Sequence, residues 1–220
     1  MRLLLAGATG LVGGHVLEQA LADHRVTRLV APTRRPLPAH EKLLNPIVTA
    51  ADLPLEEDWW AVDSAISALG TTRAKAGSAA AFRAVDHDYP LTIARQVKER
   101  GARCFVLISA VGANARSAFF YNRVKGDLEL ALSKLGFPSL TFVRPGLLVG
   151  KREEYRFAEN MAAVVARALD PVLPTALRAN PASAVAALSL EAAIRSEPGA
   201  HIVTAADIVR AAACSRRDKD

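Results

Sequence analysis

A serine, a tyrosine and a lysine in the middle of the chain have a spacing that could support proton transfer. The segment "ISAVGANARSAFFYNRVKGDLELAL" contains Ser109 at the end of an apolar run, followed by Tyr121 and Lys125 in a helical pattern. Residues four apart lie on one face of a helix, so the lysine ammonium could lie near the phenol and favour its ionised form. We predict that Tyr121 exchanges a proton with a carbonyl or alcohol oxygen, supported by Ser109 and Lys125.

A second motif lies almost at the first residue, where glycines separate an apolar run from a helical pattern. Gly7, Gly10 and Gly13 have the spacing G-x-x-G-x-x-G in "LLLAGATGLVGGHVLEQAL". Such a turn between a strand and a helix leaves room for a pyrophosphate, which the N–H groups and the positive dipole end of the helix then bind. A tight turn alone would need one glycine, so the three predict a dinucleotide site.

The residues after the second apolar run indicate which dinucleotide binds. An Asp or Glu about 20 residues after the glycines would accept a hydrogen bond from the adenosine ribose of NAD, but the chain reads "APTRRP" there. Thr33, Arg34 and Arg35 could instead hold a 2′-phosphate through charge-assisted hydrogen bonds. We predict NADP(H) over NAD(H). The alternative, a solvated basic loop, stays open for one of the two arginines.

Short apolar runs alternate with longer helical patterns along the chain. This alternation is typical of βαβ units, so the predicted fold class is α/β, a doubly wound parallel sheet with flanking helices that brings the motifs together. A loop is predicted at 36–46. Strands are predicted at 2–6, 26–31, 46–50, 64–69, 104–110, 140–145 and 201–205. Helices are predicted at 11–23, 78–100, 118–135 and 181–196.

Composition and charge limit the class of protein. With 220 residues, 51% of them hydrophobic and 23% charged, the chain suits one folded domain. The formal net charge is +6, but the basic residues are scattered, so we expect no nucleic-acid partner. Since the chain shows neither a secretory signal nor an apolar stretch of about 20 residues, we expect a cytoplasmic protein without membrane contact. Its two cysteines lack metal-ligand spacing, so we expect no metal site.

The order of these motifs resembles the atypical short-chain dehydrogenase/reductases, in particular the Tat-interacting-protein-like group, which is similar to the extended epimerase and dehydratase family. The resemblance spans residues 1 to about 155. It implies a single Rossmann-type domain over 1–214 that binds NADPH, a reduced substrate region mainly at 146–180, and a tail at 215–220. The segments that carry it are "GATGLVG", "RR", "SALGTT", "VDHDYP", "ISAVGAN", "YNRVKGDLE" and "FVRPGLLVGKRE".

The resemblance also implies residue roles. Ser109, Tyr121 and Lys125 match the family's catalytic triad. The chain departs from the family at "VDHDYP", where Asp86 and His87 stand in a region in which standard members often use an Asn for a proton-relay water. The cofactor-binding residues that the resemblance implies are Gly7, Thr9, Gly10, Leu11, Val12, Arg34, Arg35, Ser67, Ala68, Leu69, Gly70, Tyr121, Lys125, Arg144, Pro145, Gly146 and Leu147.

Several functions remain compatible with these residues. The first is an NADPH-dependent oxidoreductase that transfers a hydride to or from a small carbonyl or alcohol substrate, with Tyr121 as acid/base. The second is a nonenzymatic NADPH-binding redox sensor or regulatory protein. A third is an epimerase or dehydratase, which requires tightly held cofactor. His87 beside Asp88 permits a general base, although a buried structural role suits it better. We expect an unidentified small-molecule substrate and either a monomer or a homodimer.

Overall fold

The computed structural model describes residues 1–49, 52–149 and 179–217. Its strands are β1 (Arg2–Ala6), β2 (Arg28–Val30), β3 (Leu43–Leu44), β4 (Ser64–Ser67), β5 (Cys104–Ile108), β6 (Ser139–Arg144), β7 (Leu148–Val149), β8 (Asn180–Pro181) and β9 (Gly199–Thr204). Its α-helices are α1 (Leu11–Ala22), α2 (Arg73–Ala76), α3 (Ala79–Arg83), α4 (Tyr89–Glu99), α5 (Phe120–Ser133), α6 (Ala182–Arg195) and α7 (Ala205–Arg217). A π-helical turn, Ala84–Asp88, joins α3 to α4.

The strands form a parallel sheet, which in the described residues has the order β3-β2-β1-β4-β5-β6-β9. Each neighbouring pair is parallel, and β7 pairs with β8 in a separate small sheet. The chain order reverses between β1 and β4. At such a point the loops after the carboxyl ends of the strands open a crevice in which ligands bind. The predicted fold class is confirmed.

Helices cover both faces of this sheet, which explains why its central strands are almost continuously apolar. Every residue of β4 and β5 is buried. Because alternate residues of a strand point to opposite faces, Leu3 and Leu5 pack in one core cluster, which also contains Val16 of α1 and Val185 of α6. Leu4 packs in a second cluster on the other face, with buried residues of α4 and α5. The sheet thus holds the loops at its carboxyl edge between two cores.

The predicted third strand, 46–50, is wrong in position. β3 is Leu43–Leu44, inside the segment predicted as a loop, where it pairs in parallel with β2. Pro46 has no N–H to donate to a ladder and so ends the strand, after which Thr33 and Ile47 form an isolated bridge. The other predicted strands are found, with small shifts at their ends. Each predicted helix is found, and the one predicted at 78–100 is divided into α3, the π turn and α4.

The C-terminal part contains a helix that was not predicted, α7, which overlaps the start of the tail predicted at 215–220. Residues 218–220 lie outside the described residues, as do 150–178, which make up most of the substrate region predicted at 146–180. Among the helices that the structure does describe, none combines the length and apolar character needed to span a bilayer.

Candidate functional site

The glycine turn after β1 is built by close backbone approaches. Gly7 has a φ of 88°, and a Cβ on it would lie 2.7 Å from the carbonyl oxygen of Ala68 in the loop after β4. A Cβ on Gly13 would lie 2.0 Å from the carbonyl oxygen of Gly7, and one on Gly10 would lie 3.3 Å from it. Position 7 requires glycine because its backbone is left-handed and because the loop after β4 leaves no room for a side chain. Position 13 requires glycine because α1 contacts the turn there.

The first turn of α1 leaves its backbone donors available to a ligand. Gly10 is the N-cap, no side chain caps the helix, and the first turn contains no acidic residue. The first N–H groups of a helix have no intrahelical acceptor, and the helix dipole makes this end positive. Thr9 is exposed beside this helix start, and Leu11 is partly exposed. The turn therefore fits a pyrophosphate, because its glycines leave open a cradle that side chains would fill.

The loop after β2 exposes both predicted arginines. Arg34 and Arg35 are exposed, and among the described residues neither guanidinium forms an ion pair with a carboxylate. Thr33 is buried instead, and its hydroxyl donates to the carbonyl oxygen of Arg35 at 2.7 Å. Thr33 thus shapes the loop rather than facing a ligand, whereas the two guanidinium groups are available to an anion.

Asn45, which the sequence interpretation missed, closes this loop from the side of β3. Its Oδ1 accepts from the N–H of Leu37 at 2.8 Å. Its Nδ2 donates to the carbonyl oxygen of Ala31 at 2.6 Å and to the Thr33 hydroxyl at 2.8 Å. The dipeptide Asn-Pro is a turn signal and was the available hint, but it did not show which loop the amide would hold.

The loop after β4 lies against the glycine turn, and the last residue of β4 carries a buried hydroxyl. Ser67 is completely buried, and its Oγ has no hydrogen-bond partner in the described part of the chain. Ala68 donates its N–H to the carbonyl oxygen of Ala6 at 2.8 Å, which keeps the start of the loop beside β1. Leu69 and Gly70 follow. The predicted cofactor residues of the loops after β1 and β4 are therefore adjacent.

The predicted triad lies at the same edge, around β5 and α5. Ser109 follows β5, is buried, and has an Oγ without a hydrogen-bond partner in residues 1–49, 52–149 and 179–217. Tyr121 lies in the first turn of α5, is 43% exposed, and packs its ring 5.9 Å from that of Phe82. Lys125 lies one turn later and is buried. No hydrogen bond in the described residues joins these three side chains directly.

Lys125 is paired with a carboxylate rather than with the phenol. Its Nζ lies 2.8 Å from Oδ1 of Asp86, and the side chains are 3% and 1% exposed. Oδ2 of Asp86 accepts from the N–H of Thr71 at 2.8 Å. The ammonium is thus neutralised by Asp86, a partner that the helical spacing of Tyr121 and Lys125 does not reveal.

The pKa of Tyr121 is not lowered, as the spacing of Tyr121 and Lys125 predicted, but raised. Partial burial of the phenol, with a smaller contribution from the negative charge of Asp86, raises the pKa of Tyr121 to about 12. Both causes disfavour the phenolate. Tyr121 is consequently protonated at neutral pH, the state needed to donate a proton to a carbonyl oxygen.

The segment after β6 lies beside the loop after β5. Arg144, the last residue of β6, forms an ion pair with Glu129 of α5. Its Nε donates to Oε1 of Glu129 at 3.0 Å and a terminal nitrogen donates to Oε2 at 2.5 Å. Glu129 raises the pKa of Arg144. This fork ties β6 to α5. Pro145 accepts from the N–H of Val111 at 2.9 Å, and Gly146 donates its N–H to Asn180 at 2.7 Å. A role for this segment beside nicotinamide stays a prediction.

Gly126 is a further residue that the sequence interpretation missed. A Cβ on it would lie 2.2 Å from backbone atoms of Asn114 and Ala115, in the loop between β5 and α5. The N–H of Asn114 donates to the carbonyl oxygen of Asn122 at 3.0 Å. A glycine inside a helix costs stability, so the "KG" in "YNRVKGDLE" was a signal that another backbone approaches there. The loop after Ser109 therefore rests directly on α5.

His87, which the sequence also offered as a general base, lies near the site. His87 is buried, and its Nδ1 lies 2.7 Å from Oδ1 of Asp88, an arrangement that agrees with the structural role. Within the described residues there is no group of three or more His, Cys, Asp or Glu side chains arranged to hold a metal ion.

Comparison with known proteins finds close relatives in fungi, although no protein-family model matches the chain. "Protein fmp52, mitochondrial" of Emericella nidulans is 38% identical over 177 residues, which cover 76% of each chain. "Protein FMP52, mitochondrial" of Coccidioides immitis is 32% identical over 239 aligned residues, which cover 97% of each chain. These names contradict the predicted cytoplasmic location. That prediction relied on an expected absence of a secretory signal and of a membrane helix, and neither feature separates the cytosol from the mitochondrion.

Solved structures share the fold over nearly the whole chain. MoeE5 in complex with UDP-glucose and NAD has a TM-score of 0.70 at 17% identity, covering 98% of this chain and 82% of that one. UDP-glucose 4-epimerase from Thermotoga maritima has a TM-score of 0.67 at 13% identity, covering 93% and 77%. The PhqB reductase domain from Penicillium fellutanum has a TM-score of 0.66 at 20% identity, covering 92% and 65%. At these identities the likeness confirms the Rossmann-type fold and nothing finer.

Proposed function

The chain belongs to the FMP52 family, and on that premise we propose that it is an NADPH-dependent oxidoreductase of the short-chain dehydrogenase/reductase type. The substrate class is a small carbonyl or alcohol compound. The relatives carry the FMP52 name and not that of the Tat-interacting-protein-like group. The residue roles proposed here are therefore those of the short-chain dehydrogenase/reductases in general. MoeE5 in complex with NAD and the PhqB reductase domain, both structural neighbours, support a nicotinamide cofactor.

The observation that carries this proposal is the meeting of two features at one edge of the sheet. The glycine cradle after β1 fits a pyrophosphate, and the buried Ser109 hydroxyl after β5 has no partner among the described residues. A buried polar atom without a partner is costly, so a ligand oxygen that accepts from Ser109 would stabilise the site. The cofactor and the reacting oxygen would therefore occupy adjacent parts of one crevice.

In the reducing direction, the residues of the chain would supply binding and a proton. Gly7, Gly10 and the start of α1 would hold the pyrophosphate, and Arg34 with Arg35 the 2′-phosphate. When bound, reduced nicotinamide supplies the hydride that forms the new C–H bond. Ser109 would donate a hydrogen bond to the carbonyl oxygen, and Tyr121 would transfer its proton to that oxygen to complete the alcohol. Water then reprotonates the phenolate.

The test of the cofactor is a fluorescence titration of the protein with NADPH and NADH, repeated with Arg34→Ala and Arg35→Ala. Loss of a charge-assisted hydrogen bond to the 2′-phosphate should weaken NADPH binding by about 1.5–3 kcal/mol, or roughly 10- to 150-fold, with little change for NADH. Arg28→Ala is the matched control, because Arg28 is also exposed on β2 but begins the strand at the opposite edge of the sheet.

Each result of this titration has a definite meaning. NADPH affinity that falls to the NADH value in either arginine variant, but not in Arg28→Ala, supports the 2′-phosphate site. Equal affinity of the unaltered protein for both nucleotides contradicts the NADPH preference. Absence of binding by either nucleotide contradicts the dinucleotide site itself, and with it the proposed function.

Asn45 provides a second test, at a residue that does not touch the cofactor in this proposal. Asn45→Ala removes three hydrogen bonds that hold the arginine loop. We expect NADPH binding to weaken by about tenfold, equivalent to about 1.4 kcal/mol, with a smaller loss for NADH. Asn45→Asp keeps the acceptor for Leu37 and should lie between Asn45→Ala and the unaltered protein. NADPH affinity unchanged in Asn45→Ala, measured in the same titration, would show that the loop needs no such support.

One observation favours the alternative, an NADPH-binding regulatory protein without turnover. Lys125 is neutralised by Asp86, and the pKa of Tyr121 is raised to about 12. Very little of Tyr121 is phenolate at neutral pH, so little base is present to accept a proton from an alcohol, and alcohol oxidation would be slow. Proton donation from the phenol to a carbonyl oxygen remains available. Turnover with a carbonyl substrate therefore separates the two proposals.

A further inference from the structure

Asn180 is a fully buried residue that fastens two chain segments at the carboxyl edge of the sheet. It begins β8 and is 0% exposed. Its Oδ1 accepts from the N–H of Gly146 at 2.7 Å, and its Nδ2 donates to the carbonyl oxygen of Ala205 at 3.2 Å. Its own N–H donates to the carbonyl oxygen of Leu147 at 2.7 Å. One residue that the sequence interpretation missed therefore makes three hydrogen bonds to these segments.

These hydrogen bonds lie where two neighbouring strands separate. β6 and β9 are paired as far as Arg144 and Thr204. Beyond this pair, the chain continues to Gly146 on one side and to Ala205, the first residue of α7, on the other. The Asn180 amide bridges the two ends, so it continues the connection past the end of the ladder. Since an unpaired polar group is costly to bury, the amide fixes both neighbours in place.

The segment held in this way, 145–147, borders the loop that follows Ser109. The N–H of Val111 in that loop donates to the carbonyl oxygen of Pro145 at 2.9 Å. Leu147 is 55% exposed, so the segment offers an apolar surface to a ligand. The Ser109 hydroxyl, which has no partner in the described part of the chain, lies in the same region of the edge.

The strand order determines which half of a dinucleotide would reach this segment. Under the proposed function, the pyrophosphate binds at the turn after β1, and Arg34 with Arg35 holds the 2′-phosphate of the adenosine half after β2. In the order β2-β1-β4-β5-β6, the other half must then extend away from β2, over the loops after β4, β5 and β6. The nicotinamide would therefore lie toward Ser109 and the segment 145–147, and the adenosine would not.

We propose that Asn180 is a positioning residue that holds the segment 145–147 against the nicotinamide ring and has no part in binding the adenosine half. This inference rests on the proposed function. Loss of the amide would release the N–H of Gly146 and allow the segment to shift. Because a displacement of about 1 Å can slow an enzyme reaction about 100-fold, the nicotinamide end should be sensitive to this support.

The test compares two ligands that differ in the nicotinamide ring, NADPH and 2′-phospho-ADP-ribose, by isothermal titration calorimetry. The ratio of their Kd values in the unaltered protein measures what the ring contributes to binding. We expect Asn180→Ala to reduce the advantage of NADPH until the two Kd values are about equal, with the Kd for 2′-phospho-ADP-ribose within about twofold of its original value. The nicotinamide fluorescence of bound NADPH should also move toward that of free NADPH.

Two comparison variants identify the cause of any change. Asn45→Ala loosens the arginine loop at the other end of the crevice. It should weaken both ligands by the same factor, because both carry the 2′-phosphate. Ser189→Ala removes a buried hydroxyl of α6 that donates to the carbonyl oxygen of Val185 at 2.7 Å, within one helix. It should leave both Kd values unchanged.

Asn180→Asp separates positioning from stability. The aspartate keeps an acceptor for the N–H of Gly146 but places an oxygen against the carbonyl oxygen of Ala205. It should therefore lower Tm while retaining more of the NADPH advantage than Asn180→Ala. A structural role alone would make the ratio of Kd values follow Tm across the variants.

The outcomes separate this inference from the proposed function. Unaltered protein that binds neither ligand defeats the proposed function, and the inference with it. If the unaltered protein binds NADPH more tightly and Asn180→Ala keeps the same ratio of Kd values, the role of Asn180 is overturned and the proposed function stands. Equal Kd values for the two ligands in the unaltered protein overturn the inference as well. If neither variant of Asn180 folds, the amide serves folding alone, and the inference is overturned.

Discussion

Tyr121→Phe is expected to abolish carbonyl reduction while NADPH binding is retained. The substitution removes the proton donor but keeps the ring that packs 5.9 Å from Phe82. General acid catalysis contributes about 10²- to 10⁴-fold, so kcat/KM should fall by about 10³-fold, with the Kd for NADPH within about twofold of the unaltered protein. The measurement is the loss of NADPH absorbance with a panel of small aldehydes and ketones, alongside the fluorescence titration.

Tyr89→Phe is the control for this experiment. Tyr89 is a partly buried tyrosine at the start of α4, next to the π turn, and has no proposed part in the reaction. Its substitution should leave turnover and binding unchanged. Turnover retained by Tyr121→Phe would mean that another group donates the proton. NADPH binding lost in Tyr121→Phe would assign the phenol to cofactor binding instead.

Gly13→Ala is expected to destabilise the fold and abolish nucleotide binding, whereas Gly14→Ala is not. A Cβ on Gly13 would lie 2.0 Å from the carbonyl oxygen of Gly7, so α1 would have to move away from the turn. Overpacking of this kind costs about 1–3 kcal/mol or more, and in a domain of this size each kcal/mol lowers Tm by about 2–4 °C. We expect Tm to fall by about 5–10 °C and NADPH binding to be lost.

Gly14 is the adjacent helical glycine and serves as the matched control. A Cβ on Gly14 would lie 3.8 Å from the carbonyl oxygen of Ala8, an ordinary contact. Since Ala is favoured over Gly in helices by about 1 kcal/mol, Gly14→Ala should keep Tm or raise it by about 2–4 °C. Thermal unfolding followed by circular dichroism measures both variants. Equal losses of Tm in the two would contradict the packing argument at Gly13.

The fold was largely predictable because its signals are local. Apolar runs and helical patterns placed β1, β4 and β5 within a few residues, since strands buried on both faces and helices with one apolar face have distinct periods. β3 was misplaced because a pair of leucines before Asn45-Pro46 is too short to distinguish from a loop. Its pairing with β2, which the sequence does not display, makes it a strand.

The candidate site was predictable where one motif contains both the residue and its partner. The need for glycine at position 13 follows from the motif, because the carbonyl oxygen of Gly7 that would exclude a side chain there lies in the same turn. The pairing of Lys125 with Asp86 was not predictable, because the two residues belong to different elements and meet through the fold alone. The same reason explains why Asn45 and Gly126 were missed, since each acts on a loop distant in sequence.

The contact at Gly126 bears on whether the loop between β5 and α5 becomes ordered during folding or only when a ligand binds. The backbone of Asn114 and Ala115 rests on α5, so the loop that follows Ser109 is anchored to the helix that carries Tyr121. The conformational entropy of this segment is therefore lost during folding and not when a substrate arrives. A preorganised serine and tyrosine need little rearrangement on binding, so substrate affinity in this part of the crevice should depend on contacts rather than on loop ordering.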